Sequence, residues 1–88
     1  MKTRELTLNN EHGLHMRVAG QIVKLARTHD CDVRVSYNGT RNANASSIMQ
    51  LMTLGAVHGA RVLVQADGPD EELVISELTD ILSNGAGI

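Results

Sequence analysis

The side chains best suited to do chemistry lie in one short segment, Gly13-Leu14-His15-Met16-Arg17. Apolar spacing changes from two to about 3.6 after Gly13, which places His15 where a loop turns into a helix that begins near Met16. The N–H groups of a first helical turn, that of Met16 included, lack intrahelical acceptors and form an anion site with the helix dipole. Arg17 can add a charge-assisted hydrogen bond to the same anion. A helix N-terminus disfavours imidazolium, so we expect a neutral His15 that can attack a phosphoryl group.

Patterns of apolar residues predict the elements on either side of this segment. Residues 3–8 alternate in polarity, which predicts a strand with Leu6 and Leu8 toward the core. Residues 9–13 contain two asparagines and a glycine and are predicted to be a loop. The helix after the loop has apolar residues at i, i+3, i+4 and i+7: Ala19, Ile22, Val23 and Ala26. The histidine segment therefore connects a strand to an amphipathic helix.

A hairpin and a separate strand complete the predicted sheet. Residues 32–37 alternate as a strand, and Asn38-Gly39 favours a tight turn because both residues tolerate positive φ. A short returning arm follows over about residues 40–43. Residues 61–66 alternate again and predict another strand. The sheet is therefore expected to have four strands.

A short apolar helix is predicted between the hairpin and the last strand. Ser46 and Ser47 precede residues 48–52, which are almost all apolar. Serine can cap a helix N-terminus by accepting a backbone hydrogen bond. Gly55 can end this helix, because glycine adopts the left-handed conformation of a C-terminal cap.

The last helix is predicted to begin at Pro69, since proline suits a first helical position and the acidic residues after it complement the helix dipole. Val74, Leu78 and Ile81 build its apolar face, and Asn84-Gly85 is predicted to end it. The order of elements is then βαββαβα. That order predicts an α+β open-faced two-layer sandwich, a four-stranded antiparallel sheet with three helices on one face.

Composition restricts the classes of function that remain. The 88 residues suffice for a single domain, residues 1–88, and the hydrophobic fraction of 42% suits a packed core. Eight Lys and Arg against ten Asp and Glu, with Tyr37 as the only aromatic residue, argue against a nucleic-acid binder. No apolar run approaches the roughly 18 residues that span a bilayer. A lone Cys31 and the lack of a signal-like segment favour a reducing cytoplasm.

The histidine segment resembles the phosphorylation site of the HPr family, the histidine-containing phosphocarriers of the phosphoenolpyruvate-dependent sugar phosphotransferase system. The family pattern Gly-Leu/Ile-His-x-Arg-Pro-Ala is matched by Gly13-Leu14-His15-Met16-Arg17-Val18-Ala19. A second stretch, Asn44-Ala45-Ser46-Ser47-Ile48-Met49, is similar to the family's region around its regulatory serine. The resemblance covers essentially the whole chain, and the two motifs together make it specific.

The resemblance implies a phosphoryl carrier. Nδ1 of His15 would take a phosphoryl group from phospho-enzyme I and pass it to an enzyme IIA. His15, Met16 and Arg17 would bind the phosphoryl group, and Arg17 would stabilise the transferring oxygens. The protein would act stoichiometrically through a transient phosphohistidine rather than as an enzyme. The resemblance implies no metal or cofactor, and a monomer in the bacterial cytoplasm is expected.

Two positions depart from the family pattern. Val18 stands where the family has proline, and we expect the helix to form without the fixed φ of proline. An additional residue near the Asn38-Gly39 turn aligns Ser47, rather than Ser46, with the regulatory serine that HPr kinase/phosphorylase modifies. In the competing interpretation both serines only cap the short helix.

A docking surface for these partners is a further expectation. The short helix is too apolar to bury every face, and methionine adapts to several partners. The candidates are apolar residues of that helix and, as a polar rim, residues of the first helix: Ile48, Met49, Met52, Gln21, Lys24 and Arg27. The competing interpretation is core packing for the apolar residues and a solvated helix face for the polar ones.

A metal site is the other chemistry that the histidines allow. His12 and His15 are three residues apart, and a zinc site normally needs at least three convergent protein ligands. His29 and His58 lie in separate turn-like segments, so no metal site is predicted. His12 is interpreted as a loop residue, and Cys31 as a small filler without an activating base.

Three alternatives to the sugar-branch carrier stay open. A nitrogen-branch paralogue would share the same motif. A regulatory binding module would be modified only at Ser47, although the presence of both His15 and Arg17 argues against it. An unrelated α+β binding domain would explain the core and leave His15 and Arg17 unexplained.

Overall fold

The computed structural model of the protein describes residues 1–9, 13–37 and 41–83. Within these residues the chain forms the predicted βαββαβα order, with boundaries that differ from the predicted ones by at most two residues. The elements are β1 (Lys2–Thr7), α1 (Met16–Thr28), β2 (Asp32–Tyr37), β3 (Arg41–Asn44), α2 (Ile48–Thr53), β4 (Arg61–Asp67) and α3 (Glu71–Leu82).

The sheet has the strand order β1-β4-β2-β3, and all neighbouring strands are antiparallel. Buried and accessible residues alternate along the central strands, as at Val62, Val64 and Ala66 of β4. The register sets Val35 opposite both Val64 and Ala43, so the buried side chains of neighbouring strands lie side by side. The helices pack on this buried face. The predicted open-faced α+β sandwich is therefore confirmed.

The core is aliphatic throughout. Leu6 and Leu8 face it, as their alternation predicts, with exposed fractions of 6% and 0%. Fully buried side chains come from both layers: Leu8, Val18, Ile22, Val33, Val35, Leu51, Leu54, Val64, Val74, Leu78 and Leu82. Burial of a side chain of this size contributes about 1.5–3 kcal/mol, so a domain of this length can be stabilised without aromatic residues.

The end of β1 is tied to both layers before the chain enters the histidine loop. The Leu8 N–H donates to the Ala60 carbonyl at 2.8 Å, and the Gly59 N–H donates to the Leu8 carbonyl at 2.8 Å. The Asn9 N–H donates to the Leu82 carbonyl at the end of α3, also at 2.8 Å. These bonds fix the point from which the loop to α1 departs.

The prediction that Pro69 begins the last helix is wrong. The Glu71 N–H donates to the Gly68 carbonyl at 3.2 Å, and Asp70 has φ −96° and ψ 15°, the values of the third residue of a type I turn. Pro69 is the second residue of that turn, where its ring presets φ. The Asp70 carboxylate accepts a hydrogen bond from the Asp30 N–H at 3.0 Å, which holds the turn to the loop before β2. The Gly68 N–H donates to the Glu71 carboxylate and lowers the pKa of Glu71.

Two predicted turns lie outside the described residues. The pairing of β2 with β3 is antiparallel from Arg34 opposite Asn44 to Tyr37 opposite Arg41, but the Asn38-Gly39 turn itself is not described. The predicted helix end at Asn84-Gly85 is also outside. Over residues 1–9, 13–37 and 41–83, no helix has the length and apolar character needed to cross a membrane.

Candidate functional site

His15 is the N-cap residue of helix α1, which begins at Met16 as the sequence predicts. Its backbone is extended (φ −98°, ψ 176°), and its carbonyl accepts the first helical hydrogen bond, from the Ala19 N–H at 2.9 Å. The side chain turns back over the helix, and Nδ1 accepts a hydrogen bond from the Arg17 N–H at 3.3 Å. An accepting Nδ1 carries no proton, so the neutral ring has its proton on Nε2. The Nδ1 lone pair therefore faces the donors of the helix N-terminus.

The loop that carries His15 is held against the loop after α2. The Leu14 N–H donates to the Ala56 carbonyl at 3.0 Å, and the Leu14 side chain is buried. Gly13 has a φ of +68°, and a Cβ at this position would lie 2.7 Å from both the Ala56 carbonyl oxygen and the Val57 Cα. Because backbone atoms occupy that space, glycine is required here. The position of His15 thus depends on a contact with a segment about 40 residues further along the chain.

The supporting loop is itself fixed at the end of α2. Leu54 and Ala56 are buried, with exposed fractions of 2% and 4%, and Gly55 between them has a φ of +67°. The Arg41 guanidinium donates from Nη1 to the Leu54 carbonyl at 3.4 Å, which links the loop to β3. β3, α2 and this loop therefore position the backbone of the histidine segment.

The charge of Arg17 is available to an anion at the start of α1. The side chain is exposed, and the first turn of α1 contains no acidic residue. In the part of the chain that the structure describes, the guanidinium forms no salt bridge. Met16, beside it, is 66% exposed. An exposed cation and first-turn N–H groups thus belong to the same helix end as Nδ1 of His15, an arrangement that suits a phosphoryl group.

The comparison with known proteins decides the family. A family model described as "PTS HPr component phosphorylation site" matches residues 2–84. The chain belongs to the HPr phosphocarrier family. The matched range includes the start of α1 with His15 and Arg17.

Relatives that match most of the chain are named as HPr phosphocarriers. Phosphocarrier protein HPr of Vibrio cholerae is 37% identical over 82 residues, which covers 93% of this chain and 95% of the relative. Phosphocarrier protein HPr of Chlamydia trachomatis is 36% identical over 81 residues, 92% of this chain and 73% of the relative. The crystal structure of HPr-C-His from Thermoanaerobacter tengcongensis has a TM-score of 0.86 at 35% identity, covering 93% of this chain and 91% of that one. Both the HPr resemblance and the fold are thus confirmed.

Val18, which the sequence motif sets at the position of the HPr-family proline, lies inside an intact helix. Its side chain is 0% exposed and belongs to the core cluster. The helix begins two residues earlier, at Met16. Helix formation without the proline, which the sequence predicts, is confirmed.

The docking residues predicted on α2 are divided between surface and core. Met49 is 72% exposed, whereas Ile48 and Met52 are half-buried and pack against the core, and Leu51 between them is fully buried. The exposure of Met49 suits a docking surface, whereas Ile48 and Met52 fit the interpretation of core packing. A docking role for α2 stays a prediction.

The residues predicted as a polar rim lie on α1. Gln21 and Lys24 line a groove of about 570 Å³ between α1 and α3, together with Glu77 and Asp80 of α3. His15 does not line this groove. The groove is therefore separate from the candidate site at His15, although Gln21 and Lys24 lie on the helix that begins at that site.

Only one of the two serines caps α2. Ser47 is the N-cap residue, and its Oγ accepts a hydrogen bond from the Gln50 N–H at 3.3 Å. Ser46 contributes backbone groups: its N–H donates to the Asn44 side-chain oxygen at 2.9 Å, and its carbonyl accepts from Nε and Nη2 of Arg27 at 3.2 and 3.0 Å. The interpretation in which both serines cap the helix is wrong for Ser46.

Cys31, His29 and His58 belong to three other segments of the chain. Cys31 is half-buried, and burial raises the pKa of its thiol. The Nδ1–H of His29 donates to the Leu25 carbonyl at 2.9 Å, whereas His58 is exposed. His12 lies outside the described residues. Among those that are described, no group of three or more His, Cys, Asp or Glu is arranged to hold a metal ion.

Sequence reasoning missed the loop that supports the HPr histidine segment. Ala56 takes part through its carbonyl and Val57 through its Cα, and neither side chain has chemistry that would draw attention to it. The nearest signal in the sequence is Gly55, which is equally well explained as the end of a short helix.

Proposed function

We propose that this HPr-family protein accepts a phosphoryl group on Nδ1 of His15 from phospho-enzyme I and passes it to an enzyme IIA of the sugar phosphotransferase system. The observation that carries the proposal is the 3.3 Å hydrogen bond from the Arg17 N–H to Nδ1, which directs the nucleophilic lone pair toward the donors of the helix N-terminus. The match to HPr phosphocarriers supports the same activity.

Transfer needs positioning and charge stabilisation, with little further chemistry. Nδ1 forms a bond to phosphorus as the bond to the donor atom of enzyme I breaks, and the electron pair of that bond stays with enzyme I. The imidazole keeps its proton on Nε2, so no base is required to expose the Nδ1 lone pair. The N–H groups of Met16 and Arg17 and the Arg17 guanidinium bind the phosphoryl oxygens, where negative charge is spread in the transition state. Transfer to the IIA protein runs in the same way, with His15 as the leaving group.

The exposure of the site suits two successive partners. His15 is half-buried at the N-terminal end of α1, outside the groove between α1 and α3. An imidazole in this position can enter the active site of enzyme I and then that of a IIA protein. The protein is then a stoichiometric carrier in the bacterial cytoplasm, with HPr kinase/phosphorylase as a candidate partner at Ser47.

Phosphoryl uptake from labelled phosphoenolpyruvate tests the proposal. With enzyme I and Mg²⁺, the wild-type protein should acquire an acid-labile, base-stable label, and His15→Ala should acquire none. His29→Gln changes a histidine at the other end of α1 and should be labelled like the wild type. An unlabelled wild type, beside an enzyme I that labels another HPr in the same assay, would overturn the proposal.

A further inference from the structure

Val18 has a buried backbone N–H for which the described part of the chain provides no acceptor. The first helical hydrogen bond of α1 runs from the Ala19 N–H to the His15 carbonyl at 2.9 Å, so the Val18 N–H precedes the helical hydrogen bonds. Among the residues that the structure describes, no backbone or side-chain atom accepts a hydrogen bond from it. The whole residue is 0% exposed, so bulk water does not replace the missing acceptor. Buried donors in this condition are rare, because an unmade hydrogen bond destabilises the fold.

This donor belongs to the same helix end as the reactive nitrogen of His15. The N–H groups of Met16, Arg17 and Val18 are the first three of α1, and first-turn donors project from the N-terminus along the helix axis. The Arg17 N–H donates a hydrogen bond to Nδ1 of His15 at 3.3 Å. A phosphoryl group on Nδ1 would replace that hydrogen bond and offer three charged acceptor oxygens to the donors around it.

We propose that the Val18 N–H is a third main-chain donor to the phosphoryl group on His15, beside the N–H groups of Met16 and Arg17. The inference rests on the proposed phosphorylation of His15. The valine side chain stays in the core and takes no part. The residue type matters because valine keeps the N–H that proline, the usual residue of the family at this position, does not have.

The consequence is a more favourable phosphorylation equilibrium. Among residues 1–9, 13–37 and 41–83 the donor has no partner before phosphorylation, and it gains one afterwards, so the hydrogen bond stabilises only the phosphorylated state. Proline at this position would remove an unsatisfied donor from the unphosphorylated protein and a hydrogen bond from the phosphorylated one. Both changes move the equilibrium away from phosphohistidine.

A pair of substitutions separates the N–H from the side chain. Val18→Pro removes the donor and keeps a φ that the first helical turn accepts. Val18→Ala keeps the donor and removes buried methyl groups, so it is the matched control for lost packing. The measured quantity is the fraction of phosphorylated protein at equilibrium with enzyme I over a range of phosphoenolpyruvate-to-pyruvate ratios. We expect the equilibrium constant to fall about tenfold for Val18→Pro and to stay within about twofold of wild type for Val18→Ala.

Amide chemical shifts give a second readout that needs no substitution. On phosphorylation of ¹⁵N-labelled wild-type protein, the Val18 amide proton should move downfield together with that of Arg17. An unmoved Val18 resonance, or equal equilibrium constants for the two variants, would overturn the inference and leave the proposed carrier function intact. A wild-type protein that takes up no phosphoryl group would instead overturn the carrier function, and this inference with it.

Discussion

At the scale of single residues, backbone geometry gives His15 its orientation. Nδ1 is held by the Arg17 N–H, and the His15 carbonyl begins the hydrogen bonding of α1. The place of His15 at a helix start could be predicted, because the apolar spacing changes immediately after Gly13. Which of the two ring nitrogens faces the helix could not be predicted, because the choice depends on side-chain torsions that the spacing of residues does not determine.

Removal of the Arg17 charge should slow transfer without changing the fold. Arg17→Ala should reduce the initial rate of labelling by phospho-enzyme I about tenfold, the effect of losing ~1.4 kcal/mol of transition-state stabilisation. The side chain is exposed, so we expect the free energy of unfolding in urea to change by less than about 0.5 kcal/mol. Arg17→Lys keeps the charge and should recover part of the rate. Equal rates for wild type and Arg17→Ala would show that the guanidinium does not contact the transferring group.

At the scale of elements, the histidine segment is held by parts of the chain that are distant in sequence. The Leu14 N–H bonds to the Ala56 carbonyl, and Arg41 ties the same loop to β3. The βαββαβα order could be predicted, because alternation and helical spacing are local signals. The contact of Gly13 with Ala56 and Val57 could not, because a tertiary approach of two backbones has no periodicity. Pro69 was mispredicted for a related reason, since proline suits a turn and a helix start equally well.

The backbone contact at Gly13 should make this glycine irreplaceable. Gly13→Ala puts a Cβ 2.7 Å from the Ala56 carbonyl oxygen at a φ of +68°, and we expect it to reduce the free energy of unfolding by about 2 kcal/mol or more. Phosphoryl uptake should fall as well, because the loop must shift. Gly20→Ala is the matched control. A Cβ at Gly20 meets nothing within 4 Å in the middle of α1, so alanine there should stabilise the protein by about 0.5–1 kcal/mol. Equal effects at the two glycines in urea unfolding would contradict the proposed contact.

The cap of α2 allows a similar comparison between neighbouring serines. Ser47→Ala removes the side chain that accepts from the Gln50 N–H and should destabilise the protein by about 1 kcal/mol. Ser46→Ala leaves the backbone bonds of that residue in place, so the change should stay below about 0.5 kcal/mol. The midpoints of urea unfolding measure both. If Ser46→Ala destabilised the protein as much as Ser47→Ala, the assignment of Ser47 as the only cap would fail.

At the scale of the whole molecule, small size and a partly exposed His15 suit the proposed carrier role. The chain measures 31 × 26 × 21 Å, and His15 is half-buried at one end of α1 rather than in the groove between α1 and α3. Met16 and Met49 expose apolar surface that a partner can cover. Composition alone predicts one small domain with an aliphatic core. Where the exposed apolar residues lie depends on which faces the helices turn to the sheet.

Transfer of the phosphoryl group onward to a IIA protein tests the central claim most directly. The protein is labelled with ³²P through enzyme I, freed of enzyme I and phosphoenolpyruvate, and mixed with a purified enzyme IIA that accepts phosphate from another HPr. The label should leave His15 and appear on the IIA protein, after which the unlabelled protein should accept a second phosphoryl group from phospho-enzyme I. Label that remains on the protein in the presence of active IIA would contradict its role as a phosphocarrier between these partners.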